Sequence, residues 1–266
     1  MADHQLKLDG RIAIVTGAGS SGPGVGTGKA ISVLFAREGA KVLLVDKFED
    51  RANETLRLIQ SEGGTASVFG ADLAEESSCQ RVIDAAVARY GGVDILINNA
   101  AISNPRSILE TTSEIYHQII AVNLTAPFML SKAAIPVMIE RGGGAIIHIS
   151  SITAMRGQGG KGHTAYATSK AGLSGLMVDL ADSFGKQGIR VNCIAPGIID
   201  TPMRNATIIQ AGHDPKKLNL VSKVPLGIEG DAWDVARAAL FLAGPDGRYL
   251  SGVLLPVDGG TTATSH

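Results

Sequence analysis

Cysteine, aromatic rings, net charge and long apolar runs are all scarce in this 266-residue sequence. Its two cysteines, Cys79 and Cys193, stand far apart on apolar segments; this excludes a disulfide framework and suits buried thiols in a reducing compartment. A formal net charge of -1 leaves no basic field to draw in nucleic acid or an anionic membrane surface. No run reaches the ~20 apolar residues that cross a bilayer, and the opening MADHQLKLDG lacks the basic and apolar regions of a secretion signal. A soluble cytoplasmic protein is therefore expected. The six histidines, His4, His117, His148, His163, His213 and His266, show no ligand spacing, so no metal site is expected. There is no linker-like change of composition, repeat or low-complexity tract, and the length suits one domain spanning 1-266.

Glycine is abundant, with 33 residues, as tight strand-to-helix turns require. Seven short runs rich in β-branched residues recur: RIAIVTG, KVLLVD, TASVFGAD, VDILINNA, GAIIHISS, IRVNCIAPG and GVLLPVDGG. Their near-continuous hydrophobicity predicts strands buried on both faces, as in a parallel sheet. Helical patterns lie between them, and many stop at glycine: Gly39, Gly63, Gly91, Gly142 and Gly244. Strands alternating with helices predict an α/β fold, a Rossmann-type doubly wound parallel sheet of seven strands. Such sheets bind ligands beyond the carboxyl ends of their strands.

The first strand runs into TGAGSSGPGVGTGKA. Gly17, Gly19 and Gly22 match G-x-G-x-x-G, yet Gly24, Gly26 and Gly28 offer other registers. A dinucleotide site also needs an acid roughly 20 residues further on for the adenosine ribose. Asp46 ends the second strand at a distance that favours Gly26 and Gly28 as the helix-opening pair, with residues 19–25 as an extended loop. Backbone N–H groups there and the positive end of the next helix would hold a pyrophosphate, which makes Gly17, Ser20, Gly26, Thr27 and Gly28 the candidates for cofactor contact. A carboxylate at Asp46 accepts two ribose hydroxyls and repels a 2'-phosphate, so NAD is preferred to NADP; Lys47 is the residue that could turn toward a phosphate instead.

The chemistry is expected between Ser150 and Lys170, in SSITAMRGQGGKGHTAYATSK. Tyr166 and Lys170 are four apart, on one face of a helix. A phenol titrates near ~10 in water, and an ammonium alongside is expected to lower that value into the range of general acid/base work. Ser151, where the apolar strand ends, could polarise a substrate oxygen. It lies 15 positions before Tyr166, and Thr153, at 13, is the rival hydroxyl.

The glycine turn, Asp72-Leu73, Asn98-Asn99-Ala100, Asn123 in AVNL, Ser151, Tyr166-x-x-x-Lys170 and Pro196-Gly197-x-x-x-Thr201 resemble, in order and spacing, the short-chain dehydrogenase/reductase family. The resemblance runs from about Leu6 to the terminal VDGG. It implies that Tyr166 exchanges the proton at the alcohol oxygen, Ser151 stabilises that oxygen, Lys170 holds the nicotinamide ribose, and Asn123 anchors a water linking Lys170 to solvent. It also implies adenine contact by Asp72 and Leu73, a floor beneath the ribose from Asn99, Ala100 and Ala101, and a grip on the carboxamide by Ile199 and Thr201 beside Pro196 and Gly197. Where the family usually has Asn-Asn-Ala-Gly, Ala101 adds a methyl.

A substrate lid is expected over about 203-228. Ser151, Thr153, Gln158, His163, Tyr166 and Met203 are the candidate substrate contacts, with Ser103 nearby and with Arg106 or Arg204 as candidates for binding a carboxylate. The activity expected is an NAD(H)-linked interconversion of a secondary alcohol and a ketone. The alternatives are an NADP-dependent 3-oxoacyl thioester reductase, or a dinucleotide-binding sensor without catalysis. The partners expected are a small-molecule substrate and, from the resemblance, further copies of the chain in a homotetramer or a dimer, joined through the helix after Tyr166 and the C-terminal strand.

Overall fold

All seven apolar runs become strands of one sheet in a computed structural model, which describes residues 6–157 and 162–264. They are β1 (Ile12–Thr16), β2 (Lys41–Asp46), β3 (Thr65–Gly70), β4 (Ile95–Asn98), β5 (Gly144–Ile149), β6 (Ile189–Pro196) and, after a separate two-stranded ladder of β7 (Ile199–Asp200) with β8 (Gly230–Asp231), β9 (Leu254–Val257). The order across the sheet is β3-β2-β1-β4-β5-β6-β9, every pair parallel. The chain thus winds outward through β2 and β3, then returns past β1 to β4. That reversal between β1 and β4 leaves a crevice at their carboxyl ends, where doubly wound sheets bind ligands.

Helices cover both faces. On one side α1 (Thr27–Arg37), α2 (Glu49–Ser61) and α8 (Ala232–Ala243) bury Ile31, Phe35, Ile59 and Val235 against Val15, Leu44 and Ile147. On the other α3 (Glu76–Tyr90), α5 (Ala126–Glu140) and α6 (Thr164–Phe184) bury Val82, Leu130, Met138 and Leu173 against Ile14, Leu96 and Ile146. Alternate strand residues feed the two cores, which is why the runs carry no polar face. Cys79 and Cys193 are both buried and free, and burial pushes their thiols up to about 11 and about 12.

Two expectations need correction. Gly39, Gly63, Gly91 and Gly142 close helices with φ between +80° and +91°, the left-handed backbone that favours glycine. Gly244 does not: its backbone is extended at φ -81°, and a Cβ there would sit 3.0 Å from the Leu240 carbonyl, so close approach is what calls for glycine. The second concerns membrane-spanning length. The helix α4 (Ser113–Ile120) runs through a π turn, Ala121–Thr125, into α5, and this 28-residue unit is long and apolar enough to cross a bilayer. Its apolar side instead supplies Ile119, Leu130, Ala134 and Met138 to the core, as in a buried helix of a globular fold.

Candidate active site

The glycine turn is fixed by backbone contacts too close for side chains. Gly17 has φ +64°, and a Cβ on it would fall 2.9 Å from Ala100 Cα; one on Gly28 would fall 2.0 Å from the Gly17 carbonyl oxygen. Gly26 precedes α1 as its cap, Thr27 begins the helix, and the Gly26 N–H donates to Ser20 Oγ at 2.9 Å. Gly26 and Gly28 are therefore the helix-opening pair, as expected, with residues 19–25 looping in front. Asn99 shapes this turn: its Nδ2 donates to the Thr16 and Gly17 carbonyls at 2.9 and 3.1 Å. Thr16 Oγ1 in turn accepts from the Asn99 and Ala100 N–H groups. Ala101 follows without left-handed backbone, so its methyl is accommodated without strain at that residue.

At the end of β2, Asp46 accepts the Gly19 N–H on one oxygen and the Phe48 N–H on the other, both at 3.0 Å. Lys47 turns away from it, and its Nζ lies 2.7 Å from Asp72 Oδ2. The ammonium, together with the Ala74 N–H that donates to the other Asp72 oxygen, holds the Asp72 carboxyl below the usual range. Asp72 therefore does not cap α3. Leu73 beside it is buried with the second core.

Beyond β5 the hydroxyl, phenol and amine come together. Ser151 Oγ accepts the Thr153 N–H at 3.2 Å and acts to lower the Tyr166 phenol. The buried Thr153 hydroxyl has no partner among the described residues. Lys170 is buried, donates from Nζ to the Ile149 carbonyl at 2.7 Å, and sits 5.5 Å from the centre of the Tyr166 ring. The Ser150 hydroxyl bonds the Lys170 carbonyl at 2.9 Å, fastening the helix to the strand end. The expected lowering of the phenol by the amine is corrected here. Burial pushes Tyr166 up to about 12, with Ser151 pulling the other way, while burial pushes Lys170 down to about 8. For the phenol, desolvation outweighs everything that favours the charged form.

Asn123 occupies the π turn, a helix irregularity frequent at functional sites. Its side chain is wholly committed: Oδ1 accepts the Ile102 N–H, and Nδ2 donates to the Ile102 carbonyl and to Ser169 Oγ, at 2.9, 2.9 and 3.1 Å. The side chain is a brace between the loop after β4 and α6. Next to this brace lies a feature the histidine spacing did not signal. Asn98 and His148 face each other in the β4/β5 register, with Asn98 Nδ2 3.1 Å from His148 Nδ1. Burial first, and the Lys170 charge second, push the imidazole down to about 3, and His148 Nε2 and Asn98 Oδ1 have no partner among the described residues.

The remaining candidates divide between the rim and the supports. The His163 ring meets Tyr166 edge-on at 6.3 Å, and burial lowers its basicity. Gln158 lies outside the described residues. Thr201 caps α7 (Pro202–Gln210), which carries Met203 and begins the segment proposed as a lid. Gly197 presses against Asp258, where a Cβ would fall 2.6 Å from its Cα, and Ile199 is buried in β7. Arg204 is corrected as a substrate-carboxylate ligand: its guanidinium already binds Asp200 at 2.7 Å, Glu229 and Asn205. Arg106 is exposed on the loop that passes Gly162.

Comparison with known proteins places this geometry. The family model described as enoyl-(acyl carrier protein) reductase matches residues 23–262. A 2,5-dichloro-2,5-cyclohexadiene-1,4-diol dehydrogenase of Sphingobium indicum is 38% identical over 255 residues, covering 96% of this chain and 97% of that one. An uncharacterised short-chain type dehydrogenase/reductase of Sinorhizobium fredii is 37% identical over 256 residues, covering 96% and 98%. Among solved structures, a 7α-hydroxysteroid dehydrogenase complexed with NADH and 7-oxo glycochenodeoxycholic acid superposes with a TM-score of 0.86 at 35% identity, covering 96% of each chain.

Proposed function

The chain belongs to the short-chain dehydrogenase/reductase family of oxidoreductases, and from that premise we propose that it interconverts a secondary alcohol and a ketone with NAD(H). The observation that carries this reading is the Lys170 ammonium 5.5 Å from the centre of the Tyr166 ring, one helical turn on, with Ser151 at the carboxyl end of β5 acting on the same phenol. Gly17 and Gly28 leave a backbone cradle that a Cβ on either would fill, and the open start of α1 above it suits a pyrophosphate. A nicotinamide dinucleotide fits these residues.

When bound, the cofactor supplies or accepts the hydride. Tyr166 gives a proton to the carbinol oxygen in ketone reduction and takes it back in alcohol oxidation. A phenol that holds its proton up to about 12 stands in the donating form at neutral pH. Ser151 donates to the same oxygen and stabilises charge there, while Lys170 reaches the ribose next to Tyr166 and Asn123 keeps Ile102 and α6 in register. Pro196, Gly197, Ile199 and Thr201 would hold the carboxamide side of the cofactor, and Ser20, Gly26 and Thr27 the phosphate side. NAD is favoured because a carboxylate at Asp46 would repel a 2'-phosphate and Lys47 is engaged by Asp72.

The test is NADH fluorescence alongside nicotinamide absorbance with a panel of secondary alcohols and ketones, in wild type and Tyr166→Phe. Binding is expected to persist in the variant, with turnover lower by about 10²–10⁴-fold. Equal turnover in the two proteins overturns the assignment of Tyr166. Preference for NADPH and a 3-oxoacyl thioester overturns the cofactor and substrate, and NADH binding without turnover of anything in the panel points to a sensor.

A further inference from the structure

The loop after Ser151, the root of the segment proposed as a lid and the Pro196–Gly197 turn all meet one short stretch, the C-terminal turn at residues 258–264. Asp258 builds that turn by accepting the Gly260 N–H on one oxygen and the Thr262 N–H and hydroxyl on the other, at 2.9, 2.7 and 2.7 Å. Gly197 packs on the Asp258 backbone and donates its N–H to Val257 at 2.9 Å. Leu226, at the end of the lid segment, donates its N–H to the Gly259 carbonyl at 3.1 Å, while Val224 is buried against Gly259. The third connection is Arg156, whose Nη1 donates to the carbonyl of buried Thr261 at 2.5 Å. Between Ser151 and Arg156 the chain is a stiff turn, with the Ala154 N–H on the Ser151 carbonyl and the Arg156 N–H on the Ile152 carbonyl.

We infer that Arg156 is a positioning residue: by fastening the loop that follows Ser151 to the C-terminal turn, it sets where the Ser151 hydroxyl stands relative to the segment closing over the substrate. This rests on the oxidoreductase reading above. A guanidinium reaching a main-chain carbonyl more than a hundred residues away in sequence is a long-range tie, and it crosses from the loop bearing the oxygen-stabilising hydroxyl to the element on which the lid segment is rooted. Nothing in the tie touches the glycine turn or Asp46. It reaches the carboxamide side only through the packing of Gly197 on Asp258, so its loss falls first on substrate geometry and leaves the phosphate and adenosine grip in place.

The experiment compares wild type, Arg156→Ala and Arg156→Lys by steady-state kinetics, NADH titration and hydrogen exchange of the 152–156 amides. Arg156→Ala is expected to raise KM for the alcohol or ketone and lower kcat, with kcat/KM down about tenfold, the equivalent of about 1.4 kcal/mol or one charge-assisted hydrogen bond. The NADH Kd stays within twofold of wild type, the 152–156 amides exchange faster, and Arg156→Lys recovers part of each loss. Unchanged kcat/KM and unchanged exchange overturn the inference, as does an NADH Kd that worsens by the same factor as KM. If wild type turns over no substrate, the oxidoreductase reading fails by itself, and the exchange rates alone decide whether Arg156 holds the loop. Should Arg156→Ala not fold, Arg156→Lys and Arg156→Gln carry the same comparison.

Discussion

His148 is the residue at which the interior of this fold depends most plainly on pH. It is fully buried, paired through Nδ1 with Asn98, and faces the Lys170 charge, so its folded value falls to about 3 from 6.5. Between those values the unfolded chain takes up a proton that the folded chain refuses, and stability therefore falls as pH is lowered through the window. Each pH unit there is worth about 1.4 kcal/mol, so roughly 2 kcal/mol is lost by pH 5. Urea unfolding of wild type and His148→Asn at pH 7.5, 6 and 5 checks this. Wild type is expected to lose about 2 kcal/mol more than the variant across the series, and parallel curves would sink the idea. Residue types were legible in the sequence, while their partners were not. Asp46, Ser151, Tyr166 and Lys170 stand where strand ends and helical spacing placed them, because each is fixed by local chain geometry. That Lys47 would choose Asp72, or Arg204 would choose Asp200 and Glu229, depends on carboxylates brought near only by folding.

Among the elements, the join of β1 to α1 shows how far a glycine pattern can be read. Spacing to Asp46 selected Gly26 and Gly28 over the literal G-x-G-x-x-G match, and the contacts explain why the others differ. A Cβ on Gly28 meets the Gly17 carbonyl at 2.0 Å and Asn99 Nδ2 at 2.6 Å, whereas one on Gly22 meets only Pro202 Cβ at an ordinary 3.7 Å. Gly28→Ala is therefore expected to lower stability by about 1–3 kcal/mol, in line with overpacking, and to weaken NADH binding at least tenfold because the turn must open. Gly22→Ala should leave both near wild type. Thermal unfolding and NADH titration of the two variants distinguish them, and the reverse ranking would put the close approach in the wrong place. The π turn at Asn123 had no such signature. A single π turn shifts the helical phase by one residue, but a stretch as short as AVNL is too brief to show it, so only the fold reveals it.

For the whole molecule, strand identity came from composition and strand order from chirality. Runs apolar on both faces announced a parallel sheet, and right-handed crossovers then restrict how it can be wound. What composition could not reveal is the surface left over. α5 and α6 lie on the same side of the sheet, and their outer faces expose Phe128, Ile139 and Val178. On α6 the exposed line runs Ala171, Gly175, Val178, one stripe at helical spacing, with open space where a Gly175 Cβ would stand. At the far edge β9 pairs, among the described residues, only with β6, leaving its other edge unpaired there. Small exposed residues let a second helix approach closely, and a two-fold axis would set the stripe against its own copy, burying Val178 on Val178. The family resemblance leads us to expect a homotetramer, or a dimer, built on this helix and on β9. Val178→Glu places like charges across such an axis, where they repel without touching the core behind Met177. Sedimentation of wild type is expected to give a four-chain or two-chain species, and Val178→Glu a smaller one with its NADH affinity retained. A wild-type monomer, or a variant as large as wild type, would show that the stripe is ordinary solvated surface.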